Sequence, residues 1–141
     1  MLEAARVLKP GGRFLLVDNI VPEDEELAEW YNTLERLRDP SHIRCAAPSE
    51  WASWMAGAGL TLITEESSWK SFEFETWARR MVTSDEQYDM VVSWLNNAPL
   101  PTREFFDVNV QDGTIMSFRG LEWMALCEKT TLLGKQPCET E

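Results

Sequence analysis

Val7-Leu8-Lys9-Pro10-Gly11-Gly12-Arg13-Phe14-Leu15-Leu16-Val17-Asp18 is the stretch on which the fold turns. Its spacing predicts the end of a helix, a glycine turn and an interior strand. Lys9 suits the negative end of a helix dipole. Pro10, lacking an amide hydrogen, stops the helix. Gly11 and Gly12 accept the positive φ that a reversal requires. Phe14 to Val17 is apolar without alternation, the pattern of a strand covered on both faces. Asp18 then falls at the carboxyl end of that strand, the edge where open α/β sheets bind ligands. Spacing alone favours an ordinary helix–strand connection over a ligand-binding edge.

Composition narrows the function classes. The 141 residues carry 13 basic and 24 acidic side chains, a net charge of −11. That balance argues against a phosphate track for nucleic acid or an anionic membrane surface. Cys45, Cys127 and Cys138 are widely spaced and odd in number, so reduced thiols in a cytoplasm are expected, with neither a disulfide framework nor a zinc site. One histidine does not make a His-rich metal site. No run approaches the ~20 apolar residues of a membrane span, and Glu3 and Arg6 interrupt any secretory leader.

Downstream, Pro22 is expected to open a helix. Glu23 to Glu26 lie at its positive end, and Leu27, Trp30, Tyr31, Leu34 and Leu37 form an apolar stripe. Pro40 ends it near Asp39. Ser49 is the expected N-cap of a second helix presenting Trp51, Trp54 and Met55, closed by Gly59. Leu60 to Phe72 reads as a strand near a sheet edge, and Phe74 to Met81 as a helix. Ser84 with Gln87 forms a capping-box pattern ahead of a helix placing Tyr88, Val91, Val92 and Leu95 inward. Residues 99–106 are expected to be irregular. Asp112-Gly113 marks a hairpin turn. Gly120 to Glu128 is the final strand, Trp123, Ala125 and Cys127 on one side and Met124 and Leu126 on the other. Residues 1–129 are expected to be one domain and 130–141 a polar tail.

Leu2-Glu3-Ala4-Ala5-Arg6-Val7-Leu8-Lys9-Pro10-Gly11-Gly12-Arg13-Phe14 resembles the segment leading into the fifth strand of class I S-adenosylmethionine-dependent methyltransferases, most closely the quinone C-methyltransferase branch. Leu34 to His42, Glu50-Trp51 and Ala58-Gly59-Leu60 extend the resemblance, as do Trp77 to Met81 and the final strand more weakly. It implies an α/β fold: a partial Rossmann-like methyltransferase sheet of three strands, the last antiparallel and central, with about four helices. It also implies transfer of a methyl group from S-adenosylmethionine to a small, apolar acceptor. In that family a glycine-rich turn and an acidic residue upstream of these elements grip the cofactor. No such glycine pattern occurs here, so no cofactor-binding residue is expected in this chain and it is expected to be inactive alone.

Candidate residues follow from both readings. His42, the chain's one histidine, stands either as a general base or as a loop histidine bonded to a carboxylate or water. Asp18 faces a substrate or caps a turn. Arg38 holds an anionic substrate group or pairs with Glu35 or Asp39. Trp30 and Tyr31 line an aromatic pocket or belong to the core. Strand 13–18 lacks the neighbour it has in the family, so it is expected to pair with a second copy in a homodimer or with an amino-terminal half. The alternative to a partial enzyme is a dimeric binding module derived from a methyltransferase.

Overall fold

The computed structural model describes residues 1–131. Helix α1 (Leu2–Val7) leads into strand β1 (Arg13–Ile20), then α2 (Glu25–Arg38) and α3 (Pro48–Gly57) precede β2 (Leu60–Glu73). Three helices follow, α4 (Phe74–Arg79), α5 (Asp85–Asn96) and α6 (Leu100–Phe105), before β3 (Asn109–Gln111) and β4 (Thr114–Lys129). The sheet order is β1-β4-β2, with β3 forming a hairpin on β4. β1 and β2 both pair antiparallel to β4 and therefore run parallel to each other. The expected antiparallel central strand is present.

Several local expectations are corrected. α1 stops at Val7, two residues before Lys9. Gly11 takes φ of +73°, whereas Gly12 is required by space: a Cβ there would lie 2.8 Å from the Lys9 carbonyl. Pro22 precedes the helix; Asp24 is the N-cap of α2, its carboxylate accepting from the Leu27 amide at 2.9 Å. Ala47 rather than Ser49 caps α3, with Pro48 in the first turn. Glu50 reaches back to the Ala47 amide at 3.0 Å and pairs with Arg44. These two contacts, the Arg44 one foremost, hold the Glu50 carboxyl down to about 2. Ser84 Oγ accepts from the Gln87 amide, but Gln87 Oε1 accepts from Thr83 instead of closing the capping box. Residues 99–106 contain α6, with Pro99 and Pro101 at its start, where a missing amide costs little. Thr114 to Lys129 is one unbroken strand. Six helices form among the described residues instead of about four. None is long and apolar enough to cross a membrane.

The largest correction concerns β1. Phe14 and Leu16 are half-buried, but Leu15 and Val17 are 56% and 52% exposed. Residues alternate across a strand, and only one face of β1 is covered by described residues. There Met55 of α3 and Ala5 of α1 pack with Trp123, Ala125 and Cys127. The other face carries Leu15 and Val17 beside Leu126 and Met124, their register partners on β4. Helices α2, α4 and α5 cover the opposite end of the sheet through Tyr31, Leu34, Trp77, Val91, Leu95 and Phe118. Thr130 still donates to the Gly59 carbonyl at 2.9 Å; the rest of the expected tail, with Cys138, lies outside the described residues.

Candidate functional site

β1 ends at Ile20 opposite Leu121, while β2 continues to Glu73 opposite Ser117. This unequal length leaves a notch where the shared carboxyl edge of the parallel pair lacks a neighbour. A cavity of about 400 Å³ occupies it, lined by Asn19, Arg38, Lys70, Phe72, Trp77 and Arg80 among others. Asn19 and Lys70 rise from the sheet, Arg38 is the last residue of α2, and Trp77 belongs to α4.

Arg38 is fixed from several directions. Its guanidinium lies 4.2 Å from the Trp77 ring centroid, and Nη1 donates to the Trp77 carbonyl at 3.2 Å. Nη2 pairs with Glu35 at 3.0 Å, and both side chains are largely buried. The terminal carbonyls of α2, at Leu37 and Arg38, accept from the Gln87 side chain at 2.9 and 2.8 Å. Such a cation is held in one orientation by packing. Arg38 Nε is buried with no partner among the described residues. The expectation of a surface pair for Arg38 is therefore corrected: it pairs with Glu35, but inside the protein.

Tyr31 is fully buried one turn before Glu35, its hydroxyl without a hydrogen-bond partner among the described residues. Burial raises its phenol well above the ordinary value, and the Glu35 carboxylate adds to the effect. Trp30 is turned elsewhere, stacked on Phe106 at 5.1 Å and on Trp94 at 6.3 Å. Both aromatics are buried in the core, and Trp30 with Trp94 also borders a cavity of about 430 Å³ that Tyr31 does not line.

The loop after α2 is pinned by Asn32. Its Oδ1 accepts from the Cys45 amide at 2.6 Å and its Nδ2 donates to the Cys45 carbonyl at 3.1 Å. His42 Nε2 lies 3.5 Å from the same Oδ1, at the outer limit of a hydrogen bond, and 3.9 Å from Cys45 Sγ. Burial pushes the Cys45 thiol up to about 12, with Glu35 and Asp18 contributing. Asp18 is exposed and accepts from the Asn19 amide at 2.8 Å. By alternation it faces away from Asn19, so Asn19, and not Asp18, lines the notch.

The structure thus brings Arg38 into the notch, places Tyr31 behind it, and sets His42 and Asp18 nearby around Cys45. Lys70 and Arg80 were not singled out by sequence as site residues, whereas Glu35 was, as a pairing partner of Arg38 at i,i+3 spacing. Gln87 was placed only in a capping box. Lys70 and Arg80 had no local signal, because they share the notch with Arg38 only through tertiary packing.

S-adenosylmethionine, which the resemblance implies, needs backbone amides presented by a glycine turn after a parallel strand. Gly11 and Gly59 precede β1 and β2, on the opposite edge from the notch, and Gly113 closes the β3–β4 hairpin. Among the described residues no glycine turn follows a parallel strand, so the residues present do not build that grip.

No family model matches the chain. It is 39% identical over 118 residues to the uncharacterized methyltransferase YcgJ of Bacillus subtilis, covering 82% of this chain and 46% of that protein. It is 35% identical over 107 residues to the uncharacterized protein YafE of Escherichia coli, covering 74% and 50%. Among solved structures, a candidate methyltransferase from Bacillus halodurans superposes with a TM-score of 0.88 at 36% identity, covering 92% of this chain and 56% of that one. The B. subtilis YcgJ structure gives 0.83 at 33%, with the same coverage. The chain therefore spans about half the length of the curated relatives it matches. By sequence and by fold it is similar to part of these proteins, and it carries that part of a Rossmann-like methyltransferase fold.

Proposed function

We propose that this chain is the acceptor-side, carboxyl-terminal half of an S-adenosylmethionine-dependent methyltransferase working in a cytoplasmic setting. One observation carries the reading: the parallel ends of β1 and β2 open on a lined notch, while glycine turns suited to the cofactor are absent among the described residues. In this reading the cofactor's electrophilic methyl group comes from an upstream half. The present residues bind and orient the acceptor; positioning supplies much of the rate in such bimolecular transfers. The bare β1 edge and the exposed Leu15 and Val17 are where that upstream half docks. A small acceptor with an apolar body, as in the quinone-type branch, fits the aromatic surroundings of Phe72 and Trp77.

Calorimetry with S-adenosylhomocysteine tests this. The chain alone binds none, and the chain mixed with the amino-terminal half of B. subtilis YcgJ binds one equivalent. Micromolar binding by the chain alone overturns the proposal.

The same bare edge favours a second reading, a dimeric binding module in which two β1 strands pair across a two-fold axis. A stable dimer that takes up neither S-adenosylhomocysteine nor the upstream half supports it.

A further inference from the structure

We propose that the notch beyond β1 is a carboxylate-binding subsite, with Arg80 and Lys70 as its ligand-contacting cations and Arg38 as its fixed cationic wall. That the carboxylate belongs to the methyl acceptor rests on the methyltransferase reading; that the notch binds one does not.

The chain carries 24 acidic against 13 basic residues, yet three cations line this one cavity. Glu73 also lines it, so the lining carries three cations against one carboxylate, and such an excess concentrates anions. That carboxylate and those nearby are already engaged. Glu35 holds Arg38, and Glu73 accepts from the Glu75 and Thr76 amides as the cap of α4. Glu122 pairs with Lys70 at 3.1 Å, in an exposed contact that an incoming anion can share. Arg79 is engaged by Glu75 and Asp85, whereas its exposed neighbour Arg80 carries no ion pair among the described residues. The site therefore presents one unpaired guanidinium, one loosely paired ammonium and one immobilised guanidinium.

The chemistry favours a carboxylate over a phosphate. Phosphate sites usually recruit backbone amides at a helix start. Here the Glu75 and Thr76 amides are bonded to Glu73 and face no ligand. Arg80 offers a planar fork that matches a carboxylate. The cavity, about 400 Å³, suits a small molecule whose carboxylate meets Arg80 while its body rests toward Phe72.

The test uses the full chain, nitrogen-15 labelled, titrated with sodium benzoate and followed at the Trp77 indole and Arg80 Nε–H resonances. Benzoate shifts both saturably, and benzamide, uncharged and of the same size, shifts neither. Arg80→Gln and Lys70→Gln each raise the benzoate Kd by about fivefold, as loss of a charge-assisted contact predicts. Both positions are exposed, and an unchanged amide spectrum confirms folding. Equal binding of benzamide, or an unchanged Kd in Arg80→Gln, overturns the proposal. So does inorganic phosphate occupying the notch where benzoate does not. S-adenosylhomocysteine titrated into the same sample bears only on the methyltransferase reading, so failure of one is separable from failure of the other.

Discussion

The Asn32 side chain brackets the backbone of Cys45, accepting from its amide at 2.6 Å and donating to its carbonyl at 3.1 Å. Thirteen residues apart, the two act as one strand-like bridge without a strand. Asn32 is buried, so removing its amide leaves both Cys45 groups unsatisfied. Asn32→Ala is expected to lower stability by about 2–4 kcal/mol in urea unfolding. Because His42 Nε2 sits near the same Oδ1, the His42 ring resonances shift in that variant as well.

Tyr31 of α2 and Gly120 of β4 are coupled where the helix packs on the sheet. A Cβ at Gly120 would lie 2.7 Å from the Tyr31 hydroxyl and 3.0 Å from the Phe72 ring. Gly120→Ala is expected to cost about 1–3 kcal/mol through overpacking. Tyr31→Phe removes a buried hydroxyl without a partner and is expected to be neutral or stabilising. The double variant recovers about 1 kcal/mol of the Gly120→Ala loss, read from a double-mutant cycle of unfolding energies. The remainder belongs to Phe72.

Stability depends on pH at the alkaline end through Cys45. Its folded thiol is pushed up to about 12, while the unfolded thiol ionises near its ordinary 9.0. The folded chain therefore binds more protons between these values, and stability falls as pH rises through that window. Below about pH 9 the contribution is present in full. Cys45→Ala is expected to flatten the decline between pH 9 and 11, leaving the parallel share from Tyr31 and Cys127, both also raised. Native Cys45 resists a thiol reagent at pH 8.

The exposed strip of β1 governs self-association in the dimer reading. Leu15 and Val17 are more than half exposed, so replacing both by Lys leaves the fold intact while charging the edge. Light scattering is expected to show the parent chain associating and Leu15→Lys/Val17→Lys remaining monomeric, with an unchanged circular dichroism spectrum. A parent chain that is monomeric at high concentration removes the homodimer.

The three main strands were legible because β1, β2 and β4 each carry an apolar pattern bounded by turn residues; their order was legible only through the methyltransferase resemblance. Gly59 at φ +75° and Asp112-Gly113 are positioned as their residue types demand. The burial of β1 was misread for a physical reason. An unbroken apolar run records the surroundings in which the strand evolved, and in this chain one of its faces is bare. α6 was missed because Pro99 and Pro101 read as breakers, although a first helical turn tolerates them. At the notch, Arg38 was visible from its place on α2. Lys70, on β2 paired with β4, and Arg80, the cap of α4, join it through tertiary packing, which local spacing does not encode.

Every other described strand bonds to β4, and none of them to one another. Residues 114–129 are thus the keystone of the sheet, and they follow in the chain every strand they join. Until they are in place, β1 and β2 have no described strand to zip against and wait with open edges. Sheet assembly therefore depends on closing long loops, which slows folding and leaves sticky intermediates for chaperones to shield.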